Sequence, residues 1–466
     1  MTAATQLTAA RAAFALAVVC LGTLVAPLDS SVNISLPSIS TAFERGLEDI
    51  RWIVITYVLT YSSLLLICGK LGDLYGYRRV FQLGLLTAAA GFGCCAAAPS
   101  FSLLLVGRVL QGVGIALTLS CAPALATTLY DESQRTRVIG IYAALTAVGA
   151  ALGPVVGGLL IEVFGWRVVF WMRAPIAIAA LALSWTIPGR QPTGASGGFD
   201  FAGAVLLVVW LVALLLALAL RTEMAGLAFR LALFGVAAAA FTMFLVHEGR
   251  HPEPIIRPRL FNDLSFALVN TVSIIVNYGA FSILLLVPYF LVRTAGLESG
   301  IAGVVLALAA VGAVAGSWLA GRIAQGVSTV NLVMTGIVLS LAGLTAIAQW
   351  SAATGLGFIA LALLVQGFGV GLFNVAYTDL VTATLPLKDR GVAGSLTMVT
   401  RTIGVVAGAT LHSQIQRSYE AAAQLAGATA DVAFVAGFQA AFVAAAVVMA
   451  GGLVMCLLQA ARRPPT

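Results

Sequence analysis

Few charges lie inside the apolar stretches of this chain, and those few mark where chemistry would be done. Asp29 follows Pro27 in a run that opens near Ala12, Arg108 and Gln111 stand three residues apart in another run, and Arg173 and Arg401 fall within two more. An ionised side chain in hydrocarbon costs at least about 2.5 kcal/mol, so Asp29 and Arg108 should each face a partner or a wet cavity. An aspartate that takes up a proton beside an arginine is one way to couple proton movement to another event. At 1.5 Å per residue, Asp29 is roughly 25 Å from the inner end of its helix and Arg108 roughly 9 Å from the outer end of its own, so both are expected in the outer half of a membrane. Gln111 shares the Arg108 face. The alternative for Asp29 is to cap a helix broken near Pro27. Arg401 lies roughly 15 Å into its helix, near the midplane, where it would attract an anionic group. Tyr57, Tyr61, Asn270, Asn277, Tyr278, Gln366 and Asn374 are further polar or aromatic residues within apolar runs, fit either to line a cavity or to bond between helices. Asp379 reads as an exposed charge near a helix end.

Other chemistries find little support. His247, His251 and His412 read as helix-end residues without nucleophile, acid or metal partners, so no enzyme is expected. The six cysteines, Cys20, Cys68, Cys94, Cys95, Cys121 and Cys456, lie in apolar runs without metal-ligand spacing, and no disulfide or metal site is expected. No phosphate-binding loop is present, so ATP hydrolysis is not expected on this chain. Basic residues stand singly in short segments, which argues against nucleic acid despite a net charge of +7.

The elements that must hold these residues follow from composition. Hydrophobic residues make up 61% of the 466 and charged residues 9%, against roughly 25% charged in a soluble domain. Apolar runs of about 20 residues recur, and lipid supplies no hydrogen-bond partner to the backbone, so the runs must be helices and the fold all-α. Fourteen transmembrane helices are expected, near 12–32, 50–70, 79–98, 102–126, 138–161, 168–187, 201–220, 230–247, 266–291, 299–320, 329–349, 355–379, 391–411 and 433–458. The first run resembles a signal peptide but continues past Pro27 and Asp29 without a cleavage site. With the N-terminus inside, fifteen basic residues fall on the inner side; seven, Arg45, Arg51, Arg167, Arg221, Arg230, Arg293 and Arg417, fall outside. By that asymmetry both termini are expected to be cytoplasmic.

The chain also repeats. LQGVGIAL from Leu110 returns as VQGFGVGL from Val365, and Arg135, Gly149 and Gly153 match Arg390, Gly404 and Gly408 at one offset of 255. Two six-helix bundles are therefore expected, 1–187 and 263–466, separated by 188–262, which holds the Gly/Pro/Ser stretch GRQPTGASGG and two extra helices without polar lining. Related halves around a midplane site are the layout for rocking motion.

The segment GKLGDLYGYRRV, with Gly69, Gly72, Asp73, Gly76, Arg78 and Arg79, resembles the signature between the second and third helices of the major facilitator superfamily. There Asp73 would rest on the positive N-terminal end of the thirteenth helix near Gly391 and latch the inner side; AGRIAQG from Ala320 lacks the aspartate. PLDSSVNISLP from Pro27, GRVLQGVGIA from Gly107, GAALGPVVGG from Gly149 and RGVAGSLTMVTRTIGVVAGA from Arg390 are similar to motifs of the fourteen-helix drug:proton antiporter family. The resemblance implies that Arg108 takes part in proton coupling. It also implies that Gly149, Gly153, Pro154, Gly157 and Gly158 form an antiporter motif, acting as hinge or seal, with simple close packing the alternative. The expected function is proton-coupled export of amphipathic organic compounds by alternating access, in a multi-pass monomer of the cell (inner) membrane, with protons and lipid as partners and no cofactor beyond the proton gradient. Alternatives are a uniporter or symporter of a small metabolite, and a non-transporting or lipid-handling protein on the same architecture.

Overall fold

The computed structural model describes residues 9–127, 130, 135–187, 200–220, 226–251, 262–323, 326–384 and 390–462, and these are helical almost throughout. The expected linker from Gly189 to Gly198 lies outside them. The helices are α1 (Ala9–Leu24), α2 (Ser30–Phe43), α3 (Leu47–Tyr75), α4 (Tyr77–Ala97), α5 (Phe101–Thr127), α6 (Arg135–Phe164), α7 (Val168–Trp171), α8 (Arg173–Ser184), α9 (Phe201–Ala219), α10 (Leu227–Glu248), α11 (Leu264–Tyr289), α12 (Ser299–Ile323), α13 (Thr329–Ile347), α14 (Leu356–Thr384), α15 (Arg390–Leu425) and α16 (Ala430–Arg462). Among the described residues, ten segments are long and apolar enough to cross a membrane, so the protein is an all-helical, multi-pass membrane protein.

Two ends fall elsewhere than expected. The first span runs from Ala10 to Phe43 rather than ending near residue 32, because the 3₁₀ turn Pro27–Asp29 bends the helix without terminating it. The thirteenth continues to Leu425 rather than 411, since HSQIQRSYEAAAQ is polar but contains no helix breaker.

The internal repeat reappears as packing. In the first half α4 meets α5 where Gly91 faces the Gln111 backbone; in the second, α13 meets α14 where Gly343 faces the Gln366 backbone. At both places an added Cβ would collide with main chain, so glycine is what lets the helices approach. The halves are sealed by one large core that includes Ile34 and Ile53 from the first and Val276 and Phe438 from the second. Helices α9 and α10 pair through Trp210 and Phe241, whose rings are 4.6 Å apart. Of these two, α9 also packs on α3 and α15, one from each half.

Candidate functional site

Pro27 opens the turn that separates α1 from α2 and sets Asp29 at the N-cap place of α2, but its side chain makes no capping bond. The capping alternative therefore fails. The carboxylate instead turns to α5, where Arg108 holds it in a two-pronged grip, Nη1 to Oδ1 at 2.7 Å and Nη2 to Oδ2 at 2.9 Å. Gln111, one turn along, donates Nε2 to the same Oδ1 at 2.9 Å and accepts from Arg108 Nη1 at 2.8 Å. The remaining Arg108 edge is fixed by Nε donating to the Ile53 carbonyl of α3 at 2.8 Å.

A second cation completes the cluster. Arg173, the first residue of α8, pairs with Asp29 Oδ1 and donates Nε to the Val169 carbonyl at 2.8 Å. Both guanidiniums are fully buried, and the Asp29 side chain keeps 12% of its surface exposed. Two cations around one anion leave an excess positive charge in apolar surroundings. Aromatic faces help carry it: Arg108 lies 4.2 Å from the Tyr57 ring centroid, and Arg173 lies 4.6 Å from Phe92 and 5.4 Å from Phe170. Arg173 Nη2 is buried and has no hydrogen-bond partner among the described residues. The cluster thus offers one unused donor and net positive charge. In the span from Ala10 to Phe43, Asp29 lies just past the middle of the helix.

The glycines of α6 connect this cluster to the opposite half. Gly149, Gly153 and Gly157 form one ridge: a Cβ on Gly149 would meet Leu24 and Pro27, one on Gly153 would run into Ser30 Oγ, and one on Gly157 would come within 2.6 Å of Ser31 Cβ. Ser30, next to Asp29, donates to the Ala150 carbonyl at 3.0 Å. On the other side of α6, Gly158 and Pro154 press on Ser299, Gly300 and Gly303 of α12, and Glu162 Oε1 accepts the Gly300 N–H at 2.5 Å. Pro154 sits inside a continuous helix. One helix therefore touches the Asp29 turn and the second bundle together.

The halves are also clasped where α3 begins. Arg51, expected at the outer end of the second helix, is buried on α3 and donates to the Thr410 carbonyl at 3.1 Å and to Ser413 Oγ at 2.6 Å on α15. Glu48 pairs with Arg417 at 2.6 Å, and the Tyr289 hydroxyl donates to the Leu36 carbonyl at 3.3 Å. These contacts and the α6–α12 seam close the halves against each other toward the side on which α2, α6, α11 and α15 end.

At the other face, Gly76 (φ 92°) joins α3 to α4 in a single left-handed residue that a side chain would strain. Gly72 lies against Cys121 and Tyr77, Gly69 is only loosely packed, Arg78 donates to the Ile187 carbonyl at 2.7 Å, and Arg79 is exposed. The Asp73 side chain and the surroundings of Gly391 lie outside what is described.

The remaining candidates scatter. Tyr57 and Gln111 belong to the charged cluster, and the Tyr61 ring tilts against Tyr57 with centroids 5.1 Å apart. Asn270 is buried and accepts the Tyr377 hydroxyl at 2.9 Å, Asn277 donates to the Ser273 carbonyl at 2.8 Å, and buried Gln366 is 3.5 Å from Ser340 Oγ. Asn374, Asp379 and Arg401 are exposed. Tyr278 is buried against His412, ring centroids 4.3 Å apart. His412 is therefore not at a helix end but deep in α15. The reading of partnerless histidines fails again at His247, whose Nε2 is 2.6 Å from Asp200 Oδ1. Sequence reasoning missed Asp200, and Arg173 was recognised only as lying within a span, with nothing in its spacing pointing to Asp29.

A family model described as Major Facilitator Superfamily matches residues 19–409. The chain is 30% identical over 405 residues to the methylenomycin A resistance protein of Bacillus subtilis (strain 168), covering 86% of each chain. It is 25% identical over 400 residues to the riboflavin transporter RibZ of Clostridioides difficile (strain 630), covering 85% of this chain and 87% of that one. Its fold superposes on a bacterial homolog of the human lysosomal transporter Spinster, solved inward-facing and unoccupied, with a TM-score of 0.73 at 16% identity, covering 98% of this chain and 100% of that one.

Proposed function

This chain belongs to the Major Facilitator Superfamily, and from that premise we propose that it is a proton-coupled secondary exporter of amphipathic organic compounds working by alternating access. Fourteen crossings complete the topology, with α3, α6, the α7–α8 pair and α15 added to the ten apolar spans, and both termini cytoplasmic. In that orientation the closed face is external and the described conformation is inward-facing.

The observation that carries the reading is the buried Asp29–Arg108–Arg173 cluster on the turn against which α6 packs. A carboxylate held by two guanidiniums is stable while it is ionised. Protonating it leaves two buried cations with one neutral partner, which raises the energy of this packing by several kcal/mol. The packing would then shift. Because α6 touches both that turn and α12, such a shift reaches the contact between the halves. The excess positive charge and the unused Arg173 donor favour neutral, zwitterionic or anionic amphiphiles over polyvalent cations. The name of the methylenomycin A resistance relative supports efflux.

The test is a pH-dye assay on proteoliposomes challenged with a panel of amphipathic compounds, using the parent chain, Asp29→Asn and Arg108→Ala. Compound-driven proton movement that both substitutions abolish in folded protein supports the reading; compound flux without proton movement overturns it. The relative named as a riboflavin transporter favours a second reading, facilitated movement of a small metabolite, and uncoupled flux is the outcome that would select it.

A further inference from the structure

The extra helix pair carries a cluster that the transport reading does not use. Asp200 caps α9, its Oδ1 accepting the Gly203 N–H at 2.7 Å and lying 2.6 Å from His247 Nε2 near the end of α10. One turn further, His251 Nδ1 stands 4.0 Å from Asp200 Oδ2. The Asp200 side chain is 1% exposed, and its Oδ2 is buried without a hydrogen bond among the described residues. Glu248, also buried, brings Oε1 to the same place: a Cβ on Gly203 would strike both Glu248 Oε1 and Asp200 Oδ2. Two carboxylates converging in a buried site repel unless a cation or a proton lies between them. The imidazole rings are 5.4 Å apart, and the donor atoms of Asp200, His247 and His251 all lie within 4.8 Å of one another.

We propose that Asp200, His247 and His251 bind one divalent transition-metal ion of the zinc class, with Glu248 beside it as a fourth ligand, which staples the start of α9 to the end of α10. Two imidazoles with carboxylate oxygens form a borderline donor set that suits zinc or cobalt, whereas magnesium and calcium call for oxygen donors alone. Ligand bonds of about 2.0–2.2 Å to nitrogen and oxygen together span the Asp200 Oδ2 to His251 Nδ1 gap. The His247 to Asp200 separation must open as the ion takes the place of the proton between them, and each imidazole nitrogen that carries a proton releases it on binding. The i, i+4 spacing of His247 and His251 sets both rings on one side of the chain as it leaves α10.

The experiment uses the purified full-length chain in detergent, with any polyhistidine tag removed and bound metal stripped with a chelator. Zinc is titrated against a chromophoric chelator, and cobalt is added separately to read its visible spectrum. One zinc per chain is expected, with the strong visible bands of tetrahedral nitrogen–oxygen coordination in the cobalt form and no competition from magnesium. His247→Gln and Asp200→Asn should each weaken zinc by at least about tenfold, while the exposed Asp379→Asn binds as the parent does. Size-exclusion profiles show that the variants remain folded, and the cobalt spectrum of the parent stands without them. No stoichiometric zinc in the parent, or unchanged binding in folded His247→Gln, overturns the proposal and leaves a hydrogen-bonded cap. Neither readout depends on transport.

Discussion

The two halves pack alike and differ in charge. Gln111 on α5 and Gln366 on α14 occupy matching places, each with its backbone against a glycine of the preceding helix. Three residues before Gln111 stands Arg108, gripping Asp29; three residues before Gln366 stands Leu363, fully buried among apolar neighbours. Gln111 is accordingly bonded into an ion cluster, and Gln366 reaches only a serine hydroxyl at 3.5 Å. Packing follows the backbone, which duplication preserves. Charge follows single side chains, and here it has been gathered into one half. A rigid rocking of the halves would leave the cluster intact, so its influence on the other half must pass through helices that touch both, α6 and α3.

The largest effect is expected from erasing this difference. Arg108→Leu makes the first half copy Leu363 and strips a buried carboxylate of its two-pronged partner, which should destabilise the protein by about 3–5 kcal/mol and abolish compound-driven proton movement. Thermal unfolding in detergent and the proteoliposome assay read the two effects. Leu363→Ala should also destabilise, by about 2–5 kcal/mol through a cavity, yet leave proton movement per folded molecule near that of the parent. Equal loss of coupling in both variants would show that the charged half has no special role. Adding Asp29→Asn to Arg108→Leu should destabilise further, since the buried Arg173 then loses the carboxylate it pairs with, and coupling stays lost.

A smaller effect is expected at the α6 ridge. Gly153→Ala should lower transport severalfold, because the new methyl displaces Ser30 Oγ from its bonds to Pro27 and Ala150 and disturbs the Asp29 turn. Ser30→Ala in the same chain should relieve much of the clash and return part of the activity. Gly408, the repeat counterpart, faces the Tyr278 carbonyl, where a Cβ would lie 2.8 Å away. Gly408→Ala should therefore cost stability, with no rescue by a neighbouring serine and little change in coupling. Initial transport rates normalised to folded protein separate the two cases.

How much of this was readable in advance depended on whether the signal was local. Apolar periods, the repeat at an offset of 255 and the glycines of α6 are carried by neighbouring residues, and the helices and their close contacts followed from them. Asp29, Arg108 and Gln111 were singled out because charge within hydrocarbon demands an explanation. The pairings of Arg173 and Arg51 escaped because their partners lie 144 and 362 residues away, at Asp29 and Ser413, and no spacing encodes such a meeting. The histidines misled in a related way. Loop-adjacent positions such as His247 look solvent-facing in sequence, while the Asp200 that meets it lies 47 residues earlier across a helix pair.

The smallest effects should come from the clasp at the closed face, where two contacts differ in burial. Arg51 is buried, so Arg51→Gln removes charged hydrogen bonds to Thr410 and Ser413 and should loosen the closed face by about 1.5–3 kcal/mol. The Glu48–Arg417 pair is more open, with side chains 14% and 51% exposed, and solvent screens it. Glu48→Gln should therefore shift the balance between closed and open faces by at most about 1 kcal/mol, roughly a fivefold change in population, and less at high salt. Spin labels placed across that face on α3 and α15 would report both populations. An Arg51→Gln shift no larger than that of Glu48→Gln would place the seal in the α6–α12 seam instead, where Gly158 meets Ser299, and Gly158→Ala would then be the variant that opens it.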